Sequence, residues 1–255
     1  MKRAKHNFAF LFVVLAVLAT GNALADLADT IERIKPSIVV VGTYKRTNSP
    51  QFVLRGTGFV IGNGNLVATN AHVVPESGDS DAPVLVIQAR NAGGETQIRR
   101  AVLVNLDRNH DLAVLRIEGA ALPALKLRSS DTVREGQLIA FTGFPIGGAL
   151  GFSPVTHRGM VSSITPIALP GGNAQQLNEK VIRRIKNGTF NIFQLDATAY
   201  PGNSGSPVFD QESGEVIGVI NMVFIKGTKE TALSQPSGIS YAIPGDFLAY
   251  MIAQQ

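Results

Sequence analysis

Short runs of β-branched and aromatic residues, cut apart by Gly, Asn, Pro and Asp, recur along almost the whole chain. They occupy residues 37–44, 52–62, 65–74, 82–89, 99–107 and 111–117, then 137–144, 158–167, 190–197, 206–210, 214–225 and 238–244. Runs this short, at this spacing and with glycine turns between them, predict an all-β barrel or sandwich. Asn63-Gly64-Asn65 between two runs reads as a tight hairpin. A βαβ arrangement needs a helical crossover between most strands, and the sequence offers none. Helices are expected over 26–35 and 245–253, and within an insertion at about 170–190. There Leu177, Val181 and Ile185 recur four apart over 175–186 and Asn187-Gly188 closes the pattern. Its basic residues read as a solvated surface face.

Hydrophobic residues make up 45% of the 255 and charged residues 16%, enough for a substantial core. The chain has no cysteine, which excludes disulfides, thiol nucleophiles and Cys-ligated metals. The net charge of +4 suggests a polyanionic partner until its distribution is read. Lys2, Arg3 and Lys5 precede an apolar run over 8–19, and Ala23 and Ala25 then form an A-x-A site. Residues 1–25 therefore read as a secretory signal, too short for a membrane span. Without that segment, which holds no acid, the charge falls to +1. The expected product begins at Asp26, is exported to a bacterial periplasm or the exterior, keeps no stable membrane span and binds no nucleic acid.

Pro201-Gly202-Asn203-Ser204-Gly205-Ser206-Pro207 joins two strand-like runs. Its glycines permit a sharp bend that exposes the Ser204 hydroxyl. The backbone amides of Gly202, Asn203 and Ser204 are the candidate donors to an oxyanion. A serine hydroxyl needs a base. Beyond the leader the histidines are His72, His110 and His157. His72 follows a strand among small residues, His110 reads as a surface turn residue, and His157 is open to a role in a substrate groove. The third group must be a carboxylate that orients the imidazole. Asp111 heads an apolar strand and is the best candidate, with Asp107 reading as solvent-facing and Asp196 as the competitor.

Thr69-Asn70-Ala71-His72-Val73-Val74, His110-Asp111-Leu112-Ala113-Val114-Leu115 and Gly202-Asn203-Ser204-Gly205-Ser206-Pro207 together resemble the chymotrypsin-like serine proteases, in their bacterial HtrA/Deg-type form. The order His, Asp, Ser fits that group and not the subtilisins or α/β-hydrolases. Gly56-Thr57-Gly58, Gly143-Phe144-Pro145 and the final run 238–244 extend the likeness over about residues 27–248. The resemblance implies a trypsin-like serine protease domain over 26–255, built as two six-stranded antiparallel β-barrels. The first would span about 37–125 and the second 133–248, with the active site in the cleft between. His72, Asp111 and Ser204 would form a triad that needs no cofactor or metal and cuts unfolded or extended polypeptide substrates. With the chain closing soon after Pro244, no PDZ domain is expected.

For the substrate pocket, the resemblance points to Thr198 and to Ile220, Asn221 and Met222 after the nucleophile. Thr198 is not an acid, so an uncharged, small to medium residue is expected on the acyl side of the cut. The competing reading is a non-catalytic, chaperone-like polypeptide binder on the same fold.

Overall fold

The computed structural model describes residues 26–76, 81–90, 93–148, 152–167, 190–221 and 238–254. The expected leader, the helix over 175–186 and Met222 lie outside these residues. The first six strands are β1 (Ile38–Tyr44), β2 (Phe52–Ile61), β3 (Leu66–Thr69), β4 (Val84–Arg90), β5 (Thr96–Asp107) and β6 (Leu112–Ile117). The second six are β7 (Leu138–Gly143), β8 (Val155–Pro166), β9 (Asn191–Asp196), β10 (Pro207–Asp210), β11 (Val216–Ile220) and β12 (Ile239–Pro244). Helices α1 (Leu27–Ile34) and α2 (Gly245–Ala253) flank them.

Each apolar run carries one strand. Two strands start before their runs, β5 at Thr96 and β8 at Val155. Ladder pairing with β4 and β7 extends them through polar residues, because backbone hydrogen bonds are indifferent to side-chain polarity.

The strands pair antiparallel into two closed barrels, in the orders β1-β2-β3-β6-β5-β4 and β10-β11-β12-β9-β8-β7. This is the two-barrel fold the resemblance implies. Strand β1 explains why the runs are so continuously apolar. Val39 and Val41 point into the first barrel, whereas Ile38 and Val40 join a separate cluster with Phe59, Phe209 and Ile243 at the seam between barrels. Both faces of the strand are buried, so alternation disappears. Leu248 and Met251 of α2 close the same seam. Each such side chain contributes about 1.5–3 kcal/mol on burial. The seam is therefore a packed core shared by both barrels, and loops from each barrel meet at its edge.

Candidate active site

Strand β3 ends at Thr69, and a 3₁₀ turn at Ala71–Val73 then carries His72. Asp111 holds that turn. Its carbonyl accepts the Ala71 amide at 3.1 Å and Asn70 Nδ2 at 3.0 Å. Its Oδ1 accepts the His72 backbone amide at 2.9 Å. Asp111 has φ 54, a left-handed conformation that Asp tolerates better than most residues. Oδ2 lies 2.6 Å from His72 Nδ1 and 2.7 Å from Asn221 Nδ2. Asp111 is only 7% exposed, and these three donors to its carboxylate offset the cost of burying it. A carboxylate facing Nδ1 keeps the proton of neutral His72 there and leaves Nε2 as the acceptor.

The Ser204 loop runs between β9 and β10. Gly202 has φ 103 and Gly205 φ 87. At Gly205 a Cβ would also collide with the Thr57 carbonyl, so glycine is required on two counts. Strand β2 of the first barrel grips this loop of the second. The Thr57 amide donates to the Ser204 carbonyl at 2.8 Å, and Thr57 Oγ1 donates to the Gly202 carbonyl at 2.7 Å. A Cβ at Gly56 would press on both the Val73 side chain and the Ser204 carbonyl. The backbone of Ser204 thus sits beside the residue that follows His72.

The Gly202 and Ser204 amides make no hydrogen bond among the described residues. Asn203 differs from expectation. Its amide donates to the Tyr200 carbonyl at 2.9 Å, so the turn consumes it and leaves only its two neighbours as oxyanion donors. Ser204 is 6% exposed, and its hydroxyl has no hydrogen-bond partner among the described residues. Catalytic contacts of this type commonly tighten only when substrate binds.

The expected pocket residues separate. Thr198 is half-buried just before the loop. Ile220 packs in the core of the second barrel with no exposed surface. Asn221 is likewise fully buried, and its side-chain amide donates to Asp111 Oδ2. A signal for this was present: one amide inside the apolar run 214–225 demands a buried polar partner.

The other candidates also find places. His110 is not a plain surface residue, and Asp107 does not simply face solvent. Asp107 Oδ2 meets His110 Nδ1 at 2.5 Å, and the His110 ring stacks on Phe247 with centroids 3.8 Å apart. Burial alone would raise the Asp107 carboxyl, but the His110 side chain and the local amides carry it below the usual carboxylate value. The spacing Asp-x-x-His was the overlooked cue. His157 lies on β8 opposite Phe141 and stacks on that ring at 4.9 Å. Burial lowers its pKa, and its Nε2 has no partner among the described residues. Asp196 is exposed at the end of β9, apart from this network. Among the described residues no three metal-ligating side chains cluster, and no helix is long and apolar enough to cross a membrane.

The model of the trypsin-like peptidase domain family matches residues 56–219. The mitochondrial serine protease HTRA2 of Drosophila pseudoobscura pseudoobscura is 33% identical over 202 residues, which cover 79% of this chain and 39% of the relative. Its counterpart in Drosophila willistoni is also 33% identical, with 38% of its length covered. Among solved structures, the HtrA-type protease AlgW with a tripeptide superposes with a TM-score of 0.62 at 27% identity. That match covers 89% of this chain and 62% of the other. The chain thus spans less than two thirds of the length of these relatives.

Proposed function

Because the chain belongs to the trypsin-like peptidase domain family, in the HtrA-type branch of the chymotrypsin-like serine endopeptidases, we propose that it hydrolyses peptide bonds through an acyl-enzyme on Ser204. The carrying observation is the pair of His72 Nδ1 and Asp111 Oδ2 at 2.6 Å, set beside a loop whose Gly202 and Ser204 amides have no hydrogen-bond partner among the described residues. In this reading His72 Nε2 removes the Ser204 proton as Oγ attacks the scissile carbonyl. Asp111 holds the ring and stabilises the imidazolium. The two amides receive the oxyanion, and His72 returns its proton to the leaving amine. Water then repeats the sequence to release the acyl group.

The substrates are unfolded or extended polypeptides, which present a backbone to a cleft between barrels. Thr198 before the loop supplies no charge to a pocket, which favours an uncharged acyl-side residue. The basic and apolar leader over 1–25 supports export, with cleavage after Ala25 and action in the periplasm or outside the cell.

The test is labelling of the mature protein by a fluorophosphonate, with casein hydrolysis measured in parallel. Ser204→Ala is expected to abolish both, a loss of about 10⁴–10⁶ in turnover. Native protein that takes no label and cuts no casein would instead be a polypeptide binder on a protease fold.

A further inference from the structure

A cavity of about 630 Å³ opens where the two barrels meet, and neither His72, Asp111 nor the Ser204 loop lines it. That volume falls within the range of about 300–1,000 Å³ common for small-molecule sites, which favour such junctions. Buried Ile38, Val40, Leu122 and Phe144 form its apolar wall. Phe152 adds a ring held edge-on to Phe52 at 5.4 Å.

Lys35, Arg90 and Arg99 complete the lining, which contains no Asp or Glu. Among the described residues none of the three has a carboxylate within ion-pair distance. The two guanidinium groups are oriented by carbonyls instead, Arg90 by Phe152 at 3.5 Å and Arg99 by Ala120 at 2.5 Å. Such contacts aim a cation without neutralising it. In the same lining, Gln88 Oε1 is buried with no hydrogen-bond partner among the described residues. The whole chain carries 23 basic against 19 acidic side chains, so an acid-free cluster of this kind is a local arrangement and not a general basicity. Apolar walls beside cations that have no carboxylate partner among the described residues match a ligand with an apolar body and an anionic head.

We propose that this cavity binds an apolar chain ending in a carboxylate, and that its occupancy acts on the Ser204 loop. A fatty acid and the carboxy-terminal end of an apolar peptide share this chemistry. The cavity wall reaches the loop through one hydroxyl. The Phe144 amide donates to Thr57 Oγ1 at 3.0 Å, and that hydroxyl donates to the Gly202 carbonyl at 2.7 Å. Two residues on, the Ile146 amide donates to the Pro201 carbonyl at 2.7 Å. Ile146 has φ 58, a conformation that β-branched residues rarely adopt and that stores strain. A ligand packed on Phe144 therefore bears on the segment that positions Pro201 and Gly202. The effect on catalysis rests on the serine-protease reading; the binding does not.

Binding is measured by calorimetry on the Ser204→Ala protein, which keeps the cavity and cannot turn over a peptide. The probes are dodecanoate, the tripeptide Val-Leu-Leu with a free carboxylate, its amide, dodecyltrimethylammonium and inorganic phosphate. At least one of the two carboxylates is expected to bind, and the tighter of them identifies the source. The amide, the ammonium and phosphate are expected to bind about tenfold more weakly or not at all. Arg90→Gln and Lys35→Gln, both at exposed positions, should each weaken the carboxylate about tenfold. No binding of either carboxylate at about 1 mM, equal binding of the ammonium, or indifference to both substitutions overturns the site. In wild-type protein, saturating ligand is expected to change the rate of fluorophosphonate labelling by about threefold or more. An unchanged rate overturns the coupling alone. Absence of any labelling defeats the protease reading and leaves the calorimetric result standing.

Discussion

His72 Nδ1 meets Asp111 Oδ2 at 2.6 Å, and a few residues from Asp111 a second pair, His110 Nδ1 and Asp107 Oδ2, meets at 2.5 Å. Judged by the contact alone the two are equivalent. Their remaining partners differ. Asp107 Oδ1 takes the amides of Asn109 and His110, two and three residues away, so this carboxylate closes its own turn. The His110 ring is then covered by Phe247 and by Phe190, the latter at 4.6 Å. Asp111 instead gathers donors from His72, 39 residues away, and from Asn221, 110 residues away. The Asp107–His110 pair needs only a turn and an aromatic cover. The Asp111–His72 pair joins the ends of β3 and β6 within the first barrel, takes its Asn221 donor from the second, and leaves its imidazole about one third exposed. A His–Asp contact alone therefore does not mark a catalytic pair; the candidate is the one whose imidazole lies near the serine loop.

The largest expected effect separates the pairs by activity. His72→Ala should lower kcat/KM by about 10⁴–10⁶. His110→Ala should leave it within about threefold while lowering stability by about 2 kcal/mol, through the lost stack and hydrogen bond. At this chain length that is a fall in Tm of roughly 4–8 °C. Peptide hydrolysis and thermal unfolding on the same samples give both readings. Equal losses of activity would show that the local pair also serves catalysis.

Asn221 offers a finer cut, because only the long-range pair has a side-chain donor from the other barrel. Asn221→Ala removes one charge-assisted bond to Asp111 Oδ2, and kcat/KM should fall by about tenfold to a hundredfold with the KM little changed. A purely structural asparagine would lower Tm and leave kcat intact, so the two parameters measured together decide its role.

Much of this contrast could be read from the chain. The twelve runs give the strands, and the residues around His72, Asp111 and Ser204 carry the likeness to the family. What could not be read is where partners point. Asn221 follows β11 of the second barrel, and its side-chain amide reaches Asp111 only because the two barrels pack against each other and bring that strand end to the turn before β6. A pocket position and a carboxylate clamp look the same in one dimension. The use of the Asn203 amide likewise depends on whether the turn from Tyr200 closes on itself, as it does at 2.9 Å. His110 failed as a surface residue because its cover, Phe247, arrives from α2 at the far end of the chain. Local signals thus placed the strands and the Ser204 loop, whereas long-range packing assigned the hydrogen bonds.

Loss of the stack can be separated from loss of the hydrogen bond. His110→Phe keeps an aromatic ring against Phe247 and removes the partner of Asp107. About half of the alanine variant's loss should return, roughly 1 kcal/mol. If phenylalanine is no better than alanine in thermal unfolding, the ring contacts contribute nothing and the hydrogen bond to Asp107 alone stabilises the turn.

The smallest effects sit in the pH dependence of stability, where the third histidine completes the comparison. His157 has no carboxylate partner, and burial against Phe141 disfavours its charged form and lowers its pKa. The unfolded chain then takes up this proton near the ordinary value of 6.5, before the folded protein does. Stability from this site is therefore complete above pH 6.5 and declines as pH falls from there toward the lowered folded value. Asp107 is also lowered, but from 3.8, so its contribution persists until pH falls below that value and is lost as the folded carboxylate protonates. Two separate acid limbs are expected in a plot of Tm against pH, each worth a few degrees at most. His157→Phe should flatten the limb just below neutrality and leave the strongly acidic one. Asp107→Asn should do the reverse. A variant that flattens both limbs, or the wrong one, would mean that His157 and Asp107 do not titrate independently.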